Sequence, residues 1–268
     1  FLFFVTGLGF KISAAPFHLW APDVYEAAPP PVTAFLTVAP KALGFAVLLR
    51  VLLTGFAWID WKWKPFMMLL SILTMTIGNV VAISQNNIKR LLAYSSIAQA
   101  GYILMGIAAA NEIGLKGVLI YLVAYAFTNL GAFITVIIAS NHFGNDELES
   151  YAGLAKRSPF LALSLTIFLL SLAGLPPLAG FIAKFYVFSS AIQGKLFTLA
   201  IVAAVNSAVA AFYYFKIVRL MYLAPETDSS PIPHPFSLKL ALILMLAGVL
   251  LMGLAPSPFI AFVKGIFS

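Results

Sequence analysis

Cysteine is absent from this 268-residue chain. Thiolate ligation of an iron–sulfur cluster, disulfides and a cysteine nucleophile are thereby excluded within it. Histidine is scarce: His18, His142 and His234 lie far apart, in predicted loops or at span ends, and form no haem or metal pair. Charge of either sign is scarce too. Only 9% of the residues are Asp, Glu, Lys or Arg, against about 25% in a soluble domain. All nine acidic residues (Asp23, Glu26, Asp60, Glu112, Asp146, Glu147, Glu149, Glu226 and Asp228) fall in predicted loops, so none readily neutralises a charge inside a span.

What fills the chain instead is apolar. Hydrophobic residues make up 62% of it, with a mean hydropathy of +1.01, which places lipid rather than water against most of its surface. The net charge of +7 does not point to nucleic acid, because no run of like charges and no basic face with stacking aromatics accompanies it. Basic residues in short loops hold a topology against lipid headgroups. A crossing needs about 20 mostly apolar residues. On that criterion, spans are predicted at about 1–14, 31–54, 66–84, 91–110, 116–140, 160–192, 196–222 and 239–262. The expectation is an all-α integral membrane protein of about eight transmembrane helices, forming one membrane domain over residues 1–268. Lys89, Arg90, Lys156, Arg157, Lys216, Arg219 and Lys239 fall on one side, with fewer basic residues on the other, which assigns the first side to the cytoplasm. The chain begins at Phe1 inside an apolar stretch and is read as the C-terminal part of a longer one.

The span at 160–192 is too long. A continuous helix there would reach ~50 Å, against a hydrocarbon core of ~30 Å. Gly174, Pro176, Pro177 and Gly180 stand in its middle. Proline removes a backbone donor and clashes with the preceding turn, so a discontinuous helix is predicted. Broken backbone at membrane depth is tolerated only inside protein or beside water, and transporters build ion sites from it. A second interruption follows the first span, where Pro16 leads into a polar, aromatic link before the second.

Lys11, Lys41 and Lys184 fall within these apolar stretches. A lysine at the bilayer centre costs roughly 2.5–3.5 kcal/mol on insertion scales. Lys11 has snorkelling to the interface as an alternative, and Arg50 reads as an ordinary interfacial anchor. Burial disfavours a charged amine, and a buried amine joined to polar side chains is suited to loading and releasing protons. Candidate relay groups are Ser95, Ser96, Gln99, Tyr102, Thr128, Asn129 and Asn206, each of which also reads as hydrogen-bonding glue between helices. Pro40, beside Lys41, frees a carbonyl one turn earlier, either to orient the ammonium or merely to kink the helix.

The stretch FKISAAPFHLWAPDVYEAAPPPVTAFL, followed by Lys41, resembles the antiporter-like membrane subunits of respiratory NADH:quinone oxidoreductase (complex I), closest to subunit N, also numbered 2. NNIKRLLAYSSIAQAGYILMG, YAFTNLGAF and LAGLPPLAGFIAKFYVF extend the resemblance over nearly the whole chain. It implies an inverted-repeat antiporter-like fold of about fourteen helices, of which this chain supplies roughly the last eight. It also implies that Lys11 and Lys41 match the lysines of the first repeat's channel and Lys184 the terminal ionisable residue of the second. The glutamate that pairs with the first lysine in the family has no counterpart in this sequence, and Gln99 stands where relatives often have histidine. His18 and Asp23 belong to the motif's loop, with a role in holding the broken helix. An interfacial Trp20 and a helix-capping Asp23 are the alternative.

The implied activity is proton translocation coupled to quinone reduction, without redox chemistry in this chain. The resemblance implies a multi-pass protein of the bacterial inner membrane. Its partners would be the other complex I membrane subunits, the lipid bilayer and protons, not nucleic acid. No cofactor is expected here, with flavin, iron–sulfur centres and quinone in partner subunits. Two rival readings are a subunit of a multisubunit cation/proton antiporter and a scaffold whose lysines only contact headgroups.

Overall fold

The computed structural model describes residues 1–225, 230 and 232–266. Glu226 and Asp228 of the acidic set lie outside the described residues. Helices α1 (Leu2–Ile12), α2 (Trp20–Ala27) and α3 (Pro30–Arg50) come first. A π-helical turn (Val51–Gly55) and a 3-10 turn (Ala57–Ile59) then lead to α4 (Asp60–Ile83). Next come α5 (Ile88–Ala109), α6 (Glu112–Phe143), a 3-10 turn (Leu148–Tyr151) and the single turn α7 (Leu154–Arg157). The chain continues with α8 (Pro159–Ala173), α9 (Ala179–Gln193), α10 (Phe197–Leu223), α11 (Phe236–Leu254) and α12 (Ser257–Ile266).

Among the described residues, six helical stretches are long and apolar enough to cross a membrane, while α1, α8 and α12 are shorter apolar helices. With α8 and α9 as two halves of one discontinuous crossing and α1 as a further short one, the chain is a multi-pass membrane protein of about eight spans. Two segments and the placement of four acidic residues differ from the sequence reading. The link at 20–27 is helical, with Asp23 in its first turn rather than at its cap. The predicted span 239–262 is two helices, because Pro256 stands between α11 and α12. Four acidic residues assigned to loops lie in helices: Asp23 and Glu26 in α2, Asp60 and Glu112 in the first turns of α4 and α6. The positive end of the helix dipole favours a carboxylate in a first turn.

Helix α5 is the axis of the bundle, with 94% of its most apolar window buried. It packs against α4, α6, α9 and α2. Glycines permit the closest of these contacts: a Cβ on Gly78 would stand 2.5 Å from the Ala98 nitrogen, and one on Gly101 2.5 Å from the Met75 nitrogen. Without a hydrophobic drive between helices in lipid, such close backbone packing supplies the attraction. Asn87 caps α5, its side chain accepting from the Lys89 and Arg90 amides. At that end, Arg90 pairs with Asp23 at 2.9 Å and Glu26 at 2.6 Å. Lys89 pairs with Asp146 at 3.0 Å and donates to the Ala28 carbonyl at 3.1 Å. These contacts clamp α2, and with it the start of α3, to the axis.

Candidate functional site

The interior polar groups collect around two lysines, and prolines explain where. Pro40 lies inside α3 and has no N–H, so the Leu36 carbonyl loses its helical partner. The Tyr25 hydroxyl takes that carbonyl at 3.2 Å. One residue on, Lys41 is 2% exposed. Its Nζ donates to the Ser96 carbonyl at 3.1 Å and to Ser96 Oγ at 2.5 Å. The Tyr125 hydroxyl donates to the same Oγ at 2.9 Å, and Asn129 Nδ2 donates to Thr37 Oγ1 at 2.7 Å.

The second lysine occupies the break between α8 and α9. Gly174 ends α8 with φ 88°, in the left-handed region that glycine adopts without strain. Pro176 and Pro177 cannot donate to the carbonyls four residues earlier, those of Leu172 and Ala173. Gln99 Nε2 takes the first at 3.0 Å and Lys184 Nζ the second at 2.8 Å. A helix C-terminus carries partial negative charge, which suits the ammonium. Lys184 is 6% exposed and also donates to Ser207 Oγ at 2.6 Å. A Cβ on Gly174 would lie 2.6 Å from Lys184 Cδ, so glycine here also makes room for the lysine stem. Gly180, whose Cβ would collide with the Ser171 carbonyl, lets α9 start against α8.

Further neutral polar groups are buried near the two seats. Tyr121 donates to Gln99 Oε1 at 2.5 Å, and Ser95 shares a 2.5 Å bond with Tyr214. Asn79 Nδ2 donates to the Tyr102 hydroxyl and to Asn206 Oδ1, both at 3.2 Å. A cavity of about 10 Å³ lies between Tyr125, on the Lys41 side, and Gln99, on the Lys184 side. That volume is at the threshold for one water molecule. Among the described residues neither lysine forms an ion pair.

Ser95, Gln99, Tyr102, Asn129 and Asn206, singled out in the sequence, are thus buried around Lys41 and Lys184. Lys11 is not with them. It stands exposed on the last turn of α1, its Cγ 3.6 Å from where a Gly44 Cβ would lie. His18 is buried, with Nδ1 unpartnered. Asp23 works at the bundle end through Arg90. Sequence reasoning passed over Tyr25, Asn79, Tyr121, Tyr125, Ser207 and Tyr214. One signal was available on α6: Tyr121, Tyr125, Thr128 and Asn129 recur at helical spacing, a polar stripe inside an apolar span.

Residues 1–210 match the transmembrane family described as NADH:quinone oxidoreductase/Mrp antiporter. Subunit N of NADH-quinone oxidoreductase from Trichlorobacter lovleyi is 47% identical over 264 residues, covering 97% of this chain and 54% of that protein. Subunit N of F(420)H(2) dehydrogenase from Methanosarcina mazei is 45% identical, covering 95% of this chain and 54% of that one. The chain therefore spans about half the length of the curated relatives it matches. Among solved structures, respiratory complex I from Thermus thermophilus superposes with a TM-score of 0.83 at 36% identity, over 96% of this chain and 57% of that one. The Mrp complex from a Dietzia species gives 0.89 at 22% identity, over 97% and 57%, a likeness of fold alone.

Proposed function

The chain belongs to the NADH:quinone oxidoreductase/Mrp antiporter transmembrane family, and from that premise we propose that it is a proton-translocating membrane subunit of an NADH:quinone oxidoreductase, of the subunit N type. It works beside other membrane subunits in a bacterial inner membrane. Flavin, iron–sulfur centres and quinone belong to partner subunits, and this chain carries out no redox step. Its part is to move protons when quinone reduction shifts the electrostatics along the membrane arm. Lys41 is the central relay, Lys184 exchanges with the outer side or the next subunit, and Lys11 is the modulated group beside the broken helix.

One observation carries this reading: Lys41 and Lys184 turn inward, at 2% and 6% exposure, onto neutral acceptors rather than out to lipid. A structural lysine has no reason to accept that desolvation. In the assembled complex, Lys41→Ala is expected to leave assembly intact and abolish most proton translocation, read as acidification per NADH oxidised in membrane vesicles. Full stoichiometry in that variant would overturn the reading.

The shared fold supports a second reading, a subunit of a cation/proton antiporter without NADH oxidation. Co-purification separates them, since only the first brings flavin and iron–sulfur subunits with this chain.

A further inference from the structure

We propose that the ring face of Tyr102 is the positioning group that holds the Lys184 ammonium in the helix break. The inference rests on the proposed function and concerns how that site is built.

Lys184 Nζ lies 4.6 Å from the centroid of the Tyr102 ring, inside the distance at which an ammonium is attracted to the negative face of an aromatic ring. An ammonium has three N–H donors. The Ala173 carbonyl at 2.8 Å and Ser207 Oγ at 2.6 Å account for two of them, which leaves the ring for the third. Among the described residues, every ion pair lies at a helix end or in a loop, and none involves Lys184.

The ring is also held in place. Tyr102 is fully buried on the central helix. Its hydroxyl accepts from Asn79 Nδ2 at 3.2 Å, while the Tyr213 hydroxyl donates to Asn79 Oδ1 at 3.0 Å. Asn79 further donates to Asn206 Oδ1 at 3.2 Å. Residues from α4, α5 and α10 thus fix the ring's position independently of the lysine, which comes from α9. The Lys41 seat has the same three parts, a backbone carbonyl, a serine hydroxyl and a tyrosine ring, but its ring, Tyr25, is 5.9 Å away. Tyr25 spends its hydroxyl on the Leu36 carbonyl. At Tyr102 the face matters most, at Tyr25 the hydroxyl.

The test uses the assembled complex in inverted membrane vesicles, reading proton translocation per NADH oxidised alongside the amount of assembled complex. Tyr102→Phe keeps the face and loses the hydroxyl; Tyr102→Leu loses the face. Phenylalanines carrying one, two and three ring fluorines, introduced at the same position, weaken the face at nearly constant volume. The expected result is that Tyr102→Phe retains clearly more translocation than Tyr102→Leu, which loses about tenfold, with a stepwise decline from the Phe value along the fluorine series at constant assembly. A flat fluorine series overturns the inference, as do Phe and Leu variants that behave alike. Should the Leu variant fail to assemble, the fluorine series decides. Lys184→Ala is measured beside them. If it translocates normally, the proposed function fails at this residue and the inference with it. If it is inactive while translocation ignores the ring, only the inference fails.

Discussion

Each of three prolines strips a carbonyl of its helical partner, and each of those carbonyls is taken by a side chain of the site. Leu36 goes to Tyr25, Leu172 to Gln99 and Ala173 to Lys184. A buried acceptor left without a donor costs about 1–3 kcal/mol. Tyr25→Phe is therefore expected to lower stability by roughly that amount, read as a lower unfolding temperature of the purified complex or a lower yield of assembled chain. Gly174 serves the same site through its backbone. With φ at 88° and a Cβ position 2.6 Å from Lys184 Cδ, Gly174→Ala meets both strain and a displaced lysine. Expected outcomes are a loss of about 1–2 kcal/mol in stability and a fall in proton translocation larger than that of assembly. At this scale the sequence was informative about which carbonyls would be freed, since that follows from proline numbering alone. It held no information on the acceptor's new partner, which arrives from another helix.

Element lengths and interruptions follow from local chemistry more faithfully than their ends do. The break between α8 and α9 is written in Gly174, Pro176 and Pro177. The helix α2 was hidden because the prolines and aromatics of the link around it resemble a loop, yet Pro22 sits where the first turn of a helix tolerates it. Arg90, pairing with Asp23 and Glu26, then fixes that helix to α5. The α4–α5 seam depends on missing side chains. Gly101→Leu is expected to force the two helices apart and prevent accumulation of folded chain in the membrane, measured by protease resistance after detergent extraction. Leu at Gly7, where a Cβ meets nothing within 4 Å, is the control and should accumulate normally. An equal yield from both variants would remove close packing as the reason for the glycine.

Over the whole molecule, Lys41 and Lys184 lie in a polar interior, with a cavity of about 10 Å³ lined by Tyr125 and Gln99 between their seats. If both lysines serve a single path, blocking it twice is no worse than blocking it once, because residues acting as a unit are non-additive. The double variant Lys41→Ala with Lys184→Ala is expected to translocate no less than the more affected single variant. Losses that multiply would indicate two separate routes. The amino-acid sequence by itself determined the solvent this protein lives in, the approximate number of crossings and the position of the break between α8 and α9. Those properties follow from apolar run length and proline chemistry, which act along the chain. Only the tertiary structure decided what encloses the lysines. Lys41 and Lys184 are covered by α5, α6 and α10, through Ser96 and Tyr125 at the first and Tyr102 and Ser207 at the second. Burial depends on what packs across a helix, and no periodicity within one helix encodes its neighbour.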